Sequence, residues 1–567
     1  MNICSRIYKA SILLALVLFL GGNVLYQGTV GGRKIFIEAS DWSIALIPAF
    51  LVLFFCSPSI WRNTFPTICV RKVWSALLKK RAQATVILSL VVIPLLLLTW
   101  RAVVHRYLSF ESGWDLGIYS QACANGLYSS LREERTLLAD HFEPILAMFV
   151  PWCQRVDAPL VLLTAQILAL GVGVAGIAKL ALSLRWSMPS TLVLAVLYVV
   201  FSGQRITFFY DFHPITFSAA TLPWLVISLR SGRYLWTGVL VLITFSLKET
   251  SALTVAGVGL WWSMNHTCFA PFRFAKKNFF IGLLIAAFGF ATFFLIMKVA
   301  FPYFRGGAES LYFTKYYGHL GHSMGEVVGS ILFKPLLVAD TVFNREKMIY
   351  LLKVFGPFIF AGFFRPHFLI PVIPALMVNL LTSHPYLFSA RFHYEADVYP
   401  WLFIVSVLLS RDPIFLRRWQ KVLSKIPLKH LPMHLSYRSV WMVVMLCFFG
   451  GKSLAWYNSA YPISNQQLVI RNYLLAERAE WSELRVAVFE PLAPHLTNVR
   501  HLFLLERWQD ADLVVIGYPA GKGSWIHSIE QIEDHIIPAL AKEFELAYQD
   551  KIYPTFRVWK RKPHRVN

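Results

Sequence analysis

Five short polar motifs interrupt an otherwise apolar chain. They are "WDLGIYSQ" with Asp115, "DHFEP" with His141 and Glu143, "YDFHP" with Asp211 and His213, "LKET" with Lys248 and Glu249, and "ARFHYEADVYP" with Arg391, His393, Tyr394 and Glu395. These residue types suit one kind of chemistry. A carboxylate takes a proton from an attacking hydroxyl. A lysine or arginine neutralises a leaving phosphate. Histidine with glutamate orients a substrate or holds a divalent ion, as His141 and Glu143 are spaced to do. Each motif also has a plainer role. Asp115, Asp140 and Asp211 can cap helices, and Pro144 suits a first helical turn. Lys248 and Glu249 can form a short outer turn, and Arg391 and Tyr394 can anchor an interface.

The elements that carry these motifs follow from composition. The chain has 567 residues, of which 56% are hydrophobic and 15% charged, with mean hydropathy +0.54. Apolar runs recur from Ala10 to Leu446, and about 20 apolar residues make the natural spanning unit of a bilayer. The expected fold is an all-α polytopic membrane protein with about 13 transmembrane helices and a small α/β domain at its C-terminus. The net charge of +23 points to membrane topology and not to nucleic acid, because the basic residues cluster in a few short loops. The lipid bilayer is therefore the expected partner.

With Arg6 and Lys9 placed in the cytoplasm, helices over 10–27 and 43–60 precede a basic inner connection within residues 1–83. The membrane core then runs over 84–457, with large outer loops at 104–157 and 302–347. Every strongly basic loop falls inside, and Asp115, "DFH", "KE" and "HYE" all fall outside. Ionisable groups near membrane depth are costly unless they are paired or line a wet cavity, so the outer helix ends are expected to ring one polar site. Cys123 and Cys153 share the first outer loop. In an oxidising compartment they either form a disulfide that staples the loop or stay as two separate thiols. Residues 480–567 are polar. Within them "LRVAVFE" and "DLVVIGY" read as buried strands, "IHSIEQIEDHIIPALAKEF" as an amphipathic helix and "TFRVWKR" as a closing strand.

The ordered set "WDLGIYSQ", "DHFEPILA", "YDFHPITF", "LKETSAL", "HYEADVYPWLF" and "APHLTNVR" resembles bacterial membrane proteins grouped as domain of unknown function 2079, over roughly Arg101 to Lys562. That family is similar to the polytopic GT-C glycosyltransferases, which use polyprenyl-phosphate sugars. The resemblance implies a bacterial cytoplasmic-membrane protein with a GT-C-like core and an extracytoplasmic C-terminal domain. It implies transfer of a sugar to a glycan, lipid or protein acceptor outside the membrane, with inversion and with Asp115 as general base. Lys248, Arg391 and His213 would meet the lipid phosphate, Glu249 would orient Lys248, and Asp211, His393, His141 and Glu143 would complete the binding site. A divalent metal ion is an open cofactor. The other readings are a transporter or flippase of a lipid-linked or anionic solute, and a non-catalytic envelope assembly subunit.

Overall fold

A computed structural model of the chain describes residues 81–132, 134–265, 275–307, 311–358, 364–423 and 463–563 apart from 520–522 and 525, with short strands at 28–30 and 33–35 and a few residues between 437 and 445. The helices expected at 10–27 and 43–60, and most of that at 439–456, lie outside the described residues.

The described chain is mainly helical. Helix α1 (Arg81–Leu108) and helix α3 (Ala158–Ser183) are two of three helices long and apolar enough to cross a membrane. The third is Lys276–Arg305. The count rises to five if each bent pair, Met188–Phe209 and Val398–Val422, is one span. About 13 spans are therefore not reached among the described residues. The segments Tyr234–Phe245 and Pro366–Leu381 are apolar helices of shorter length. Only 28% of the apolar window of Lys276–Arg305 is buried in protein, and Leu284, Phe288 and Phe294 are exposed. Such a belt is covered by lipid.

In lipid, helices associate through close packing more than through apolar burial. The Ser251–Met264 helix crosses Lys276–Leu295 at small residues, and a Cβ on Gly259 would lie 2.5 Å from the Ala286 nitrogen. The stretch expected as the 302–347 loop is built differently. It holds helices Leu311–Tyr317, Met324–Phe333 and Pro335–Val342, followed by Arg345–Phe355. Ser323 and Asn344 cap two of these helices through their side chains, which makes short helices there stable enough to form.

The C-terminal domain is a five-stranded sheet with order β2-β1-β3-β5-β4. The strands are β1 (Arg485–Val488), β2 (His501–Leu504), β3 (Leu513–Ile516), β4 (Phe544–Gln549) and β5 (Arg557–Arg561). β1 pairs in parallel with both β2 and β3, and β5 runs antiparallel to β3 and β4. Val486, Val488, Val514, Val515 and Ile516 are fully buried, each side chain contributing about 1.5–3 kcal/mol of burial.

Helix α2 (Trp114–Ala124) lies between this domain and the helical core. Its Gln121 amide donates to Ser130 Oγ (2.8 Å) and to the Val499 carbonyl (2.9 Å), and its carbonyl oxygen accepts from Ser129 Oγ and the Leu131 N–H. Asn125 donates to the Thr497 carbonyl. On the other side Cys123 is disulfide-bonded to Cys153, with Cα atoms 5.7 Å apart.

Candidate functional site

Asp115 lies in the first turn of α2, where a carboxylate is favoured by the exposed N–H groups of the helix start. The cap itself comes from elsewhere. Asp211 Oδ2 accepts from the Gly113 N–H (3.2 Å) and the Leu116 N–H (3.4 Å), and Asp211 Oδ1 lies 3.4 Å from the Arg106 guanidinium. Arg106 also donates to the Phe209 carbonyl. Asp211 is thus a strut joining α1, α2 and the 209–214 turn. Burial pushes its carboxyl up to about 6 against the pull of Arg106.

The strut leaves the Asp115 carboxylate out of the helix cap. Its side chain is 31% exposed, and Oδ2 lies 3.6 Å from Nε2 of the buried His213. His213 and His393 stack at 3.4 Å between ring centres, 18° from parallel. Tyr210 packs against both rings and hydrogen-bonds Asp115, and Arg106 lies over the Tyr210 ring. Burial pulls His213 down to about 4 and His393 well below the usual histidine range, with the neighbouring imidazole and Lys248 adding to the effect on His393. One ligand atom from each of Asp115, His213 and His393 lies within 4.8 Å of the others, the spacing of a metal-binding set.

A second polar group adjoins the first. His141 Nδ1 lies 3.3 Å from Glu249, whose other oxygen accepts from the Phe142 N–H at 3.1 Å. Glu249 therefore orients His141 and not Lys248. Burial alone would raise Glu249, but His141 and Lys248 outweigh it and hold the carboxylate down at about 2. Burial alone would lower His141, and Asp140 and Glu249 outweigh that to raise it. Asp140 pairs with Arg132 at 2.7 Å. Glu143 does not join His141 as a ligand pair. It is buried against the Tyr119 hydroxyl (3.2 Å), and burial lifts it to about 7.

Lys248 is half-buried, and both stacked histidines, His141, Asp140, Glu143 and Glu249 all feel its charge. Among the described residues no carboxylate lies within ion-pairing distance of it. A half-buried ammonium with no carboxylate partner among the described residues can neutralise an anion. Arg391 is exposed. Tyr394 is half-buried, and Glu395 is buried and pushed up to about 8 by desolvation.

Four residues that shape the site were not singled out from the sequence. Tyr210 sat beside Asp211 in a quoted motif, and Arg106 ended an apolar span. Tyr119 sat four residues after Asp115 in another quoted motif. Glu490 reaches in from the C-terminal domain to face the Trp114 N–H, and burial lifts it to about 7. A Cβ on Gly113 would lie 2.9 Å from Glu490 Oε1, so a side chain there would have to displace the Glu490 carboxylate.

A family model described as "Predicted membrane protein (DUF2079)" matches residues 106–533. That interval begins at Arg106 and takes in the whole polar site and β1 to β3. No curated protein matches the chain.

Proposed function

We propose that this chain, which belongs to the DUF2079 family of predicted membrane proteins, is a membrane-embedded transferase that moves a sugar from a polyprenyl-phosphate donor to an acceptor hydroxyl at the extracytoplasmic face. The observation that carries the reading is the shared cluster of Asp115 and Lys248. A part-exposed carboxylate and a half-buried ammonium with no carboxylate partner among the described residues face one polar cluster on a lipid-exposed helical scaffold.

Asp115 removes the acceptor proton as that oxygen forms a bond to the anomeric carbon. The bond from that carbon to the phosphate oxygen breaks, and its electron pair leaves on the lipid phosphate, which Lys248 neutralises. Attack opposite the leaving group inverts the anomeric centre. Asp211 and Arg106 hold α2 so that Asp115 stays aimed, and Glu249 fixes His141 at the edge of the cluster. A lipid-borne donor also accounts for a site built on helix ends, because the donor never leaves the bilayer.

The experiment is to offer the purified full chain a panel of labelled polyprenyl-phosphate sugars with crude membrane acceptors. Release of free lipid phosphate is the expected result. Movement of an intact donor across a vesicle membrane, without cleavage, would replace the transferase with a transporter.

A further inference from the structure

The stacked pair His213 and His393 poses a problem that the transfer reaction leaves unanswered. Both are buried, 3% and 7% exposed, and they come from segments 180 residues apart in sequence. His213 Nδ1 faces the Asp211 backbone carbonyl at 3.4 Å. A carbonyl only accepts, so Nδ1 carries the ring proton and Nε2 presents its lone pair. That lone pair points at a carboxylate oxygen of Asp115 3.6 Å away. Two acceptors then face each other across a gap, and something positive belongs between them. His393 adds a further buried nitrogen, Nδ1, with no hydrogen-bond partner among the described residues.

We propose that Asp115, His213 and His393 bind a divalent transition-metal ion of the zinc class, with a fourth position open toward the donor phosphate. Two imidazoles and one carboxylate are a donor set for such an ion, and three protein ligands with one open position mark a reactive site more than a structural one. The ligand atoms converge within 4.8 Å. The proton on His213 Nδ1 held by a backbone carbonyl is the usual outer support of a metal-bound imidazole. Asp115 supplies the opening, since it is the exposed member of the set. One of its oxygens takes the ion, and the other stays available to the acceptor hydroxyl. The metal set differs from His141 and Glu143, for which the sequence left a metal as one of two roles, because those two side chains turn to Glu249 and Tyr119.

This inference rests on the proposed function only for what the open position holds, and binding of the ion is measured without any donor. The full chain in detergent is stripped with a chelator and titrated with Zn2+, and with Co2+ for its ligand-field spectrum. The wild type is expected to retain about one equivalent of either ion. Removing a ligand in His393→Ala or His213→Gln is expected to weaken binding at least about 10–100-fold, while His141→Ala keeps it. An intact Cys123–Cys153 disulfide and an unchanged elution profile report that the variants are folded. A wild type that binds no ion above the level of the His213→Gln, His393→Ala double variant overturns the proposal. So does equal loss in His141→Ala. A chain that binds the ion but cleaves no donor supports the metal site and rejects the transferase.

Discussion

Asp115 and Asp211 show how little a residue type says before its partners are known. Both are acids near helix starts in quoted motifs, yet one is a part-exposed carboxylate beside His213 and the other a buried strut. Asp211 is 4% exposed and pairs with Arg106 while capping α2 across 95 residues or more of sequence. Removing one partner of a buried pair strands the other. Asp211→Ala is therefore expected to destabilise the chain by about 3–5 kcal/mol, read as an early thermal transition in detergent. Glu143 offers a test by pH. Its carboxyl sits at about 7 in the fold against an ordinary 4.5, so the folded chain binds a proton that the unfolded chain releases. The stabilisation from that proton is complete below pH about 4.5 and is lost as pH rises through about 7. Glu143→Gln keeps the neutral form at every pH. Its stability relative to wild type should rise between pH about 5 and about 8, by up to about 3 kcal/mol. A pH-independent difference would remove the buried, protonated Glu143 from the account.

The elements were legible where one period dominated. The apolar run at 158–183, the strands at 485–488 and 513–516 and the closing strand at 557–561 could all be read from pattern. Strand β4 could not. Its residues after Phe544 are mostly exposed, so it lacks the apolar signal. The helices in 311–342 were hidden for another reason, because Gly and Pro punctuate short amphipathic turns that look like a loop. The site itself was legible as motifs but not as pairs. Nothing local in "YDFHP" or "ARFHYE" says that His213 and His393 stack, or that Glu249 belongs to His141 and not to Lys248. The docking of α2 was equally hidden, since Gln121 meets a carbonyl 378 residues away. Gln121→Ala strands several buried groups and is expected to cost about 1–3 kcal/mol. It should also speed proteolysis of the C-terminal domain. The disulfide closes a 30-residue separation, so Cys153→Ser is expected to lower stability by about 3–4 kcal/mol under oxidising conditions. Equal melting of variant and wild type would show that the bond does not form in the cell.

For the molecule as a whole, the account needs the polar site and the C-terminal sheet on the same side of the membrane, away from the basic loops. Ile552 is 73% exposed on that domain. Ile552→Cys should react with a membrane-impermeant maleimide added outside intact cells, and labelling only after lysis would invert the orientation. The most direct measurement is of the base itself. With a donor identified, single-turnover release of lipid phosphate is compared between wild type and Asp115→Asn at matched donor occupancy. The account predicts that donor binding survives and the rate falls about 10²–10⁴-fold, the size of a general-base contribution. An unchanged rate in Asp115→Asn would contradict it.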